Sequence, residues 1–255
     1  MKTIGFLYGV ISYVAFLASF LYAIGFVGNL PVPKSIDSGP AAPVVEALLV
    51  DSVLLGLFAI QHSVMARPAF KRWWTRVIAP PVERSTYVLL SSLLLGLLFW
   101  KWQALPAVIW SVDNPGARMI LGALFWAGWL IVLLSTFMIN HFDLFGLRQV
   151  YLRMRDIGYT QVPFMTHAFY RFVRHPIMLG FLVAFWATPR MTAGHLLFSL
   201  ATTGYIFIGI LLEERDAAAL HGDAFRRYRE TVPMMLPVPG HRAGRESAGT
   251  HLRDV

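Results

Sequence analysis

Cysteine is absent from all 255 residues, which removes disulfides and thiolate metal ligands together. Charge is scarce as well. Asp, Glu, Lys and Arg make up 14 % of the chain, against roughly 25 % in an ordinary soluble domain. Acids are the scarcer sign, 14 against 22 bases, which leaves a net charge of +8. The chain has no Gly-x-Gly-x-x-Gly, no P-loop, no Gly-x-Ser-x-Gly and no His-Glu-x-x-His. Those absences exclude the common dinucleotide, nucleoside-triphosphate, serine-hydrolase and zinc-protease sites.

What is present is apolar length. Hydrophobic residues make up 56 % of the chain, and several runs reach the ~20 residues a helix needs to cross a bilayer. The composition predicts an all-α, multi-pass membrane protein of about five to six transmembrane helices, closed by a C-terminal helical hairpin. One domain over 1–239 accounts for everything except 240–255, which reads as a disordered tail. In such a protein a basic excess signals topology and anionic headgroups rather than nucleic acid.

Predicted spans cover 4–28, 44–65, 84–105 and 116–140. Lys2 followed by 25 apolar residues reads as a retained span, since a signal peptide's apolar core is about half that length. Segment 66–83, "ARPAFKRWWTRVIAPPVE", mixes bases with two tryptophans and reads as an interfacial piece. Two shorter apolar pieces, 176–188 and 194–212, read as the hairpin, followed by a polar amphipathic stretch over 213–232. With six helices, 18 of the 22 bases fall on one side, at Lys2, 67–84, 148–174 and from Arg215 onward. Lys34, Lys101, Arg118 and Arg190 fall on the other. The positive-inside rule then places both termini in the cytoplasm, at the cell (inner) membrane.

Three polar clusters converge on that basic face. In "YRFVRHPIMLG" (170–180), Pro176 suits a first helical turn, and Arg174 and His175 add positive charge to a helix N-terminus that already favours anions. The plain alternative is an arginine reaching up to headgroups. In "LLEERDAAALHGDAFRRYRETVPMMLP" (211–237), Glu213 and Glu214 return to the level of Arg174 and His175, either as a structural ion pair or to bind a zwitterion. In "NHFDLFGLRQV" (140–150), His141 and Asp143 suit a general base and its orienter, or a locally bonded helix exit. Asp51 and His62, eleven residues apart, share one helix face, and His62 lies on the basic side. A haem or metal held by His167 with His175, or by His62 with His141, is a separate reading that no spacing supports.

Taken together, "RHPIMLG", the hairpin and "EERDAAALHGDAFRRYRETVPMMLP" resemble the integral-membrane methyltransferases of the isoprenylcysteine carboxyl and phospholipid methyltransferase group. That group's pattern is Arg-His-Pro-x-Tyr-x-Gly, then Glu-Glu-x-x-Leu and a Tyr-x-x-Tyr-x-x-x-Val-Pro ending. "AIQHSVMARPAFKRWW" and "NHFDLFGLRQVYLR" are similar to its methanethiol S-methyltransferase branch, with NnrU-like relatives. Met178 and Phe225 stand where the pattern has tyrosines.

The resemblance implies S-adenosylmethionine as cofactor, in a cytoplasmic pocket within the segment 170–237. Arg174 and His175 would then lie by its carboxylate or ribose, and Glu213 or Glu214 by its ammonium. Pro176 would open the helix beside it, Gly180 would allow close approach, and Tyr228 and Pro233 would close a lid. The implied substrate is a small thiol, methanethiol, converted to dimethyl sulfide. His141 with Asp143, or His62, would be catalytic, with Asn140, Arg148, Gln149 and Tyr170 beside the acceptor. No metal and no protein partner beyond the lipid bilayer are implied. The alternatives are a lipid-type acceptor (a phospholipid amine or prenyl carboxylate), a non-enzymatic haem- or metal-binding membrane protein, and a relative that keeps the fold without binding the donor.

Overall fold

A computed structural model describes residues 2–162, 166 and 168–236. His167 and the tail 240–255 lie outside the described residues, as do 237–239.

Among the described residues, five helices are long and apolar enough to cross a membrane: α1 (Lys2–Val27), α2 (Val44–Ala66), α4 (Pro80–Lys101), α5 (Pro115–Ile139) and α9 (Ala193–His221). They form where apolar runs leave backbone groups no partner but their own helix. Between α2 and α4 the short α3 (Pro68–Trp74) carries Lys71, Arg72 and two tryptophans, with proline at its start. Two small helices follow α5: α6 (His141–Leu144) and α7 (Leu147–Met154).

The sixth expected crossing, α8 (Pro176–Trp186), has only 11 residues. At 1.5 Å per residue it covers about half of a ~30 Å hydrocarbon core. The remaining depth is made up at the opposite face by a structure the apolar pattern does not announce. There β1 (Val108–Ser111) pairs antiparallel with β2 (Arg190–Thr192). The flanking backbone continues the pairing, with Ala193 N–H donating to Ala107 O (2.8 Å). Thr192 then caps α9 through Oγ1, which accepts from His195 N–H.

The stretch 213–232 is not one separate amphipathic piece. Helix α9 runs unbroken to His221, turns at Gly222 (φ +52°), and α10 (Asp223–Thr231) follows. The reversal needs a residue that tolerates positive φ, and glycine does so without cost.

The core is aromatic, with Phe26, Phe99, Trp102, Phe125, Trp129, Phe185 and Phe198 buried together. Its tightest seam is the crossing of α5 and α8. A Cβ on Gly180 would lie 2.7 Å from Gly128 O, and one on Gly128 would lie 2.7 Å from Gly180 O and Ala184 N. Gly180 therefore serves helix packing against α5, a correction to the expectation that it faces a cofactor. The backbones approach so closely that neither position accepts a side chain, the usual role of small residues in membrane helices. The crossing also sets depth. Gly180 lies between the levels of Gly128 and Val132, so Pro176 begins roughly 8 Å short of the end of α5.

Gly180→Ala should therefore lower the thermal midpoint in detergent by the equivalent of about 1–3 kcal/mol, since the clash is with backbone rather than a movable side chain. Gly204→Ala, where nothing lies within 4 Å, should be neutral or slightly stabilising. Equal stability of the two variants would contradict the close crossing.

Candidate functional site

The structure brings Arg174, His175, Glu213 and Glu214 together at the basic face. Arg174 Nε donates to Glu214 Oε1 at 2.8 Å, with both side chains 9 % exposed. Its Nη1 donates to the carbonyls of Arg229 (3.0 Å) and Val232. His175 Nε2 lies 3.1 Å from the same Glu214 oxygen. A carboxylate only accepts, so Nε2 is the protonated nitrogen of His175. The pair is the structural one of the two readings of this cluster, because Arg174 and Glu214 neutralise each other.

Around that neutral centre two opposite charges stay open. The Glu213 side chain is 59 % exposed, with Oε2 at 3.7 Å from His175 Nδ1. The Arg229 side chain is 63 % exposed, with Nε at 3.7 Å from Glu214 Oε2. Arg229 was not singled out in the sequence, where it is one of three bases in "FRRYR". Only the fold shows which of the three turns inward.

The chain beyond α10 straps across the start of α8. Arg174 N–H donates to Pro233 O (2.9 Å) and His175 N–H to Met234 O (3.1 Å). Tyr228 Oη donates to Tyr170 O at 2.6 Å, and burial pushes the Tyr228 phenol up to about 12. Pro176 is buried at the first turn of α8. Pro233 and Tyr228 thus contribute a carbonyl and a hydroxyl to the strap. Tyr170 is itself buried beneath it.

His141 and Asp143 do not meet. Residues two apart on a helix point about 200° away from each other, and α6 obeys that geometry. His141 Nε2 lies 2.9 Å from Tyr13 Oη and Nδ1 2.8 Å from Thr136 Oγ1. Phe137 stacks on the ring at 4.3 Å. Asp143 instead receives Arg148 Nη1 (2.9 Å) and Tyr159 Oη (3.2 Å). Arg148 also binds Thr160, and Gln149 Nε2 donates to Asp143 O (3.0 Å). Asn140, at φ +136°, accepts from Asp143 N–H through Oδ1. Asn140, Asp143, Arg148 and Gln149 therefore hold the chain's exit from α5 together.

His62 occupies a third cluster. Its Nε2 lies 2.8 Å from Tyr87 Oη and its Nδ1 3.3 Å from Ser91 Oγ. Asp51, eleven residues earlier on α2, accepts Gln103 N–H at 2.9 Å, two residues past the end of α4. Among the described residues, no three His, Asp or Glu side chains gather where they could hold a metal ion.

These features define a multi-pass helical membrane protein with a buried ion pair flanked by open charges at one face. The family model described as NnrU protein matches residues 52–229, and the chain belongs to the NnrU family. It is 61 % identical over 236 residues to methanethiol S-methyltransferase of Mycobacterium tuberculosis, covering 92 % of this chain and 96 % of that one. With the methanethiol S-methyltransferase of Crocosphaera subtropica it shares 53 % over 242 residues, 95 % of each. Nurim of Rattus norvegicus is 29 % identical over 192 residues, 72 % of this chain and 73 % of that one. No solved structure matches the chain.

Two outcomes follow from the geometry. Arg174→Ala or Glu214→Ala strands a buried charge and should cost about 3–5 kcal/mol. The pair Arg174→Met with Glu214→Leu should cost less than either alone in thermal unfolding. Burial also holds the His141 imidazole below its ordinary 6.5. The unfolded chain therefore takes up that proton first, so stability is complete above pH 6.5 and declines as pH falls below it. Unfolding midpoints measured across that window should fall more steeply for the wild type than for His141→Gln.

Proposed function

We propose that this membrane methyltransferase transfers a methyl group from S-adenosylmethionine to a small thiol, methanethiol, releasing dimethyl sulfide. The carrying observation is the likeness, over more than nine-tenths of both chains, to a protein named methanethiol S-methyltransferase. The site suits the donor's amino-acid end. That end is a zwitterion, and the site offers an open carboxylate and an open guanidinium on either side of a neutral ion pair.

In this reading Glu213 takes the ammonium and Arg229 the carboxylate. Arg174, His175 and Glu214 hold the two at the right separation, with Pro176 beneath and the Tyr228–Pro233 strap above. Bound there, the donor supplies an activated methyl group and a positive charge beside which a thiolate is favoured. The site lies in the membrane's edge, because α8 starts below the end of α5. We assign the basic face to the cytoplasm of the cell membrane, with both termini there, from the distribution of Lys and Arg. An apolar thiol then enters from the lipid while the soluble donor enters from water.

The test is detergent-purified protein given S-adenosylmethionine and methanethiol, with the sealed headspace analysed for dimethyl sulfide. Product should form. Glu213→Gln and Arg229→Gln should each weaken donor binding about tenfold, as loss of a charge-assisted hydrogen bond requires. A protein that binds the donor but makes no dimethyl sulfide has another acceptor. One that does not bind the donor shares only the family's fold.

A further inference from the structure

At the face opposite the charged cluster the chain forms a cavity of about 330 Å³, at the lower end of the ~300–1,000 Å³ range of small-ligand sites. Gly28, just past α1, and Thr188, just past α8, both line it. Two apolar helices end there, which sets the cavity at the depth of the lipid headgroups. Tryptophans mark the same level, as they do at membrane interfaces. Trp100 is exposed at the end of α4, and its carbonyl accepts from Lys34 Nζ at 2.9 Å. Trp110 on β1 donates through Nε1 to Thr188 O at 3.4 Å.

The neutral polar groups of the cavity wall satisfy one another. Asn29 Nδ2 donates to Asp37 Oδ2 at 2.7 Å, and Asn29 Oδ1 accepts from Ser35 Oγ at 2.7 Å. Ser38 Oγ accepts Ser35 N–H (2.7 Å) and donates to Ser35 O (3.2 Å). Thr188 Oγ1 donates to Arg190 O at 2.9 Å. These bonds fix the wall and leave little for a ligand to add.

The charged groups are different. Asp37 Oδ1 accepts from Thr192 Oγ1 at the start of α9, so both carboxylate oxygens are held by neutral donors. Those donors orient the carboxylate without cancelling its charge. Arg190 lies in the same lining with an exposed side chain, and among the described residues its guanidinium makes no hydrogen bond or ion pair. One fixed negative charge and one open positive charge thus border a single small cavity, and no ion pair joins them.

A simple anion there would meet Asp37, and a simple cation would meet Arg190. A zwitterion with its two charges a few bonds apart satisfies both. The headgroup depth selects a lipid as its source. A guanidinium matches a phosphate through two parallel N–H···O bonds. A carboxylate is best met by an ammonium that can donate N–H, which a quaternary ammonium cannot do.

We infer that this cavity holds the headgroup of a phosphatidylethanolamine-type lipid in the leaflet opposite the basic face, with its ammonium on Asp37 and its phosphate on Arg190. The site lies across the bilayer from Arg174, His175, Glu213 and Arg229, so this lipid is neither donor nor acceptor of a methyl group. Bound there, it bridges the loop after α1 to the segment after α8.

The test is native mass spectrometry of the full-length protein, titrated in micelles with phosphatidylethanolamine, phosphatidylcholine and phosphatidylglycerol at equal amounts. Wild type should retain one phosphatidylethanolamine in preference to the other two. Arg190→Gln and Asp37→Asn should each weaken that retention about tenfold, as loss of a charge-assisted hydrogen bond requires. Arg118→Gln removes an exposed base near the start of α5, outside the cavity, and should leave retention unchanged. Arg190 holds no other group in place, so its variant keeps the test decisive if Asp37→Asn fails to fold. Equal retention of the three lipids, or retention that survives Arg190→Gln, would overturn the site. Displacement of the lipid by soluble phosphoethanolamine at equal concentration would overturn its assignment to a lipid, since the acyl chains would then contribute nothing.

Discussion

The bond between the Arg174 guanidinium and the Glu214 carboxylate is the centre of the seam that ties α8 to α9, α10 and the strap. Taking two charges out of water is costly, and a buried pair persists only where the geometry is good and the remaining donors are satisfied. Arg174 meets that condition by giving Nη1 to two carbonyls beyond Glu214 in the chain, those of Arg229 and Val232. One side chain thus holds the start of α8, the end of α9, the last turn of α10 and the strap. His175 adds its own bond to Glu214, and two backbone N–H groups complete the seam. Lysine could not replace this arginine, because its compact ammonium lacks the planar fork that reaches carboxylate and carbonyls at once.

The glycine crossing of α5 and α8 decides where that knot lies. Without Cβ atoms at Gly128 and Gly180 the two backbones touch, and α8 settles with its first residue below the end of α5. An 11-residue helix then suffices, because β1 and β2 complete the path at the opposite face. The recess puts charged groups at the edge of the apolar layer while leaving Glu213 and Arg229 open. On the proposed function, that boundary is where a polar donor from water and an apolar thiol from lipid would meet.

How much of this was legible in the chain depended on whether the cause was local. The first four long helices were readable to within about four residues because apolar length alone requires them, whereas α9 runs nine residues past the expected 212. The start of α8 was marked by Pro176, and the shared face of Asp51 and His62 followed from helical repeat. The His141–Asp143 dyad failed for an equally local reason, since a two-residue spacing on a helix separates the side chains. Had α6 been foreseen as helical, that pairing could have been rejected in advance. Gly180 was read as an approach for a ligand, yet its partner Gly128 lies 52 positions earlier, in a stretch whose own pattern shows only a span. The β1–β2 pair was hidden similarly, as two short segments beside longer apolar runs.

The amino-acid sequence by itself determined that this is a membrane protein, where five stretches long and apolar enough to cross lie, and that the bases and three polar clusters gather between them. These follow from the hydration cost of apolar and charged groups, which each residue carries wherever it is placed. Only the tertiary structure decided which charges neutralise one another and which remain open. Arg174 and Glu214 are 40 residues apart, and Arg174 and the Val232 carbonyl 58. Such pairings depend on helix depth and rotation, set by packing along the whole bundle. Composition placed Glu213 and Glu214 side by side as equals. The fold buried one against Arg174 and left the other facing out.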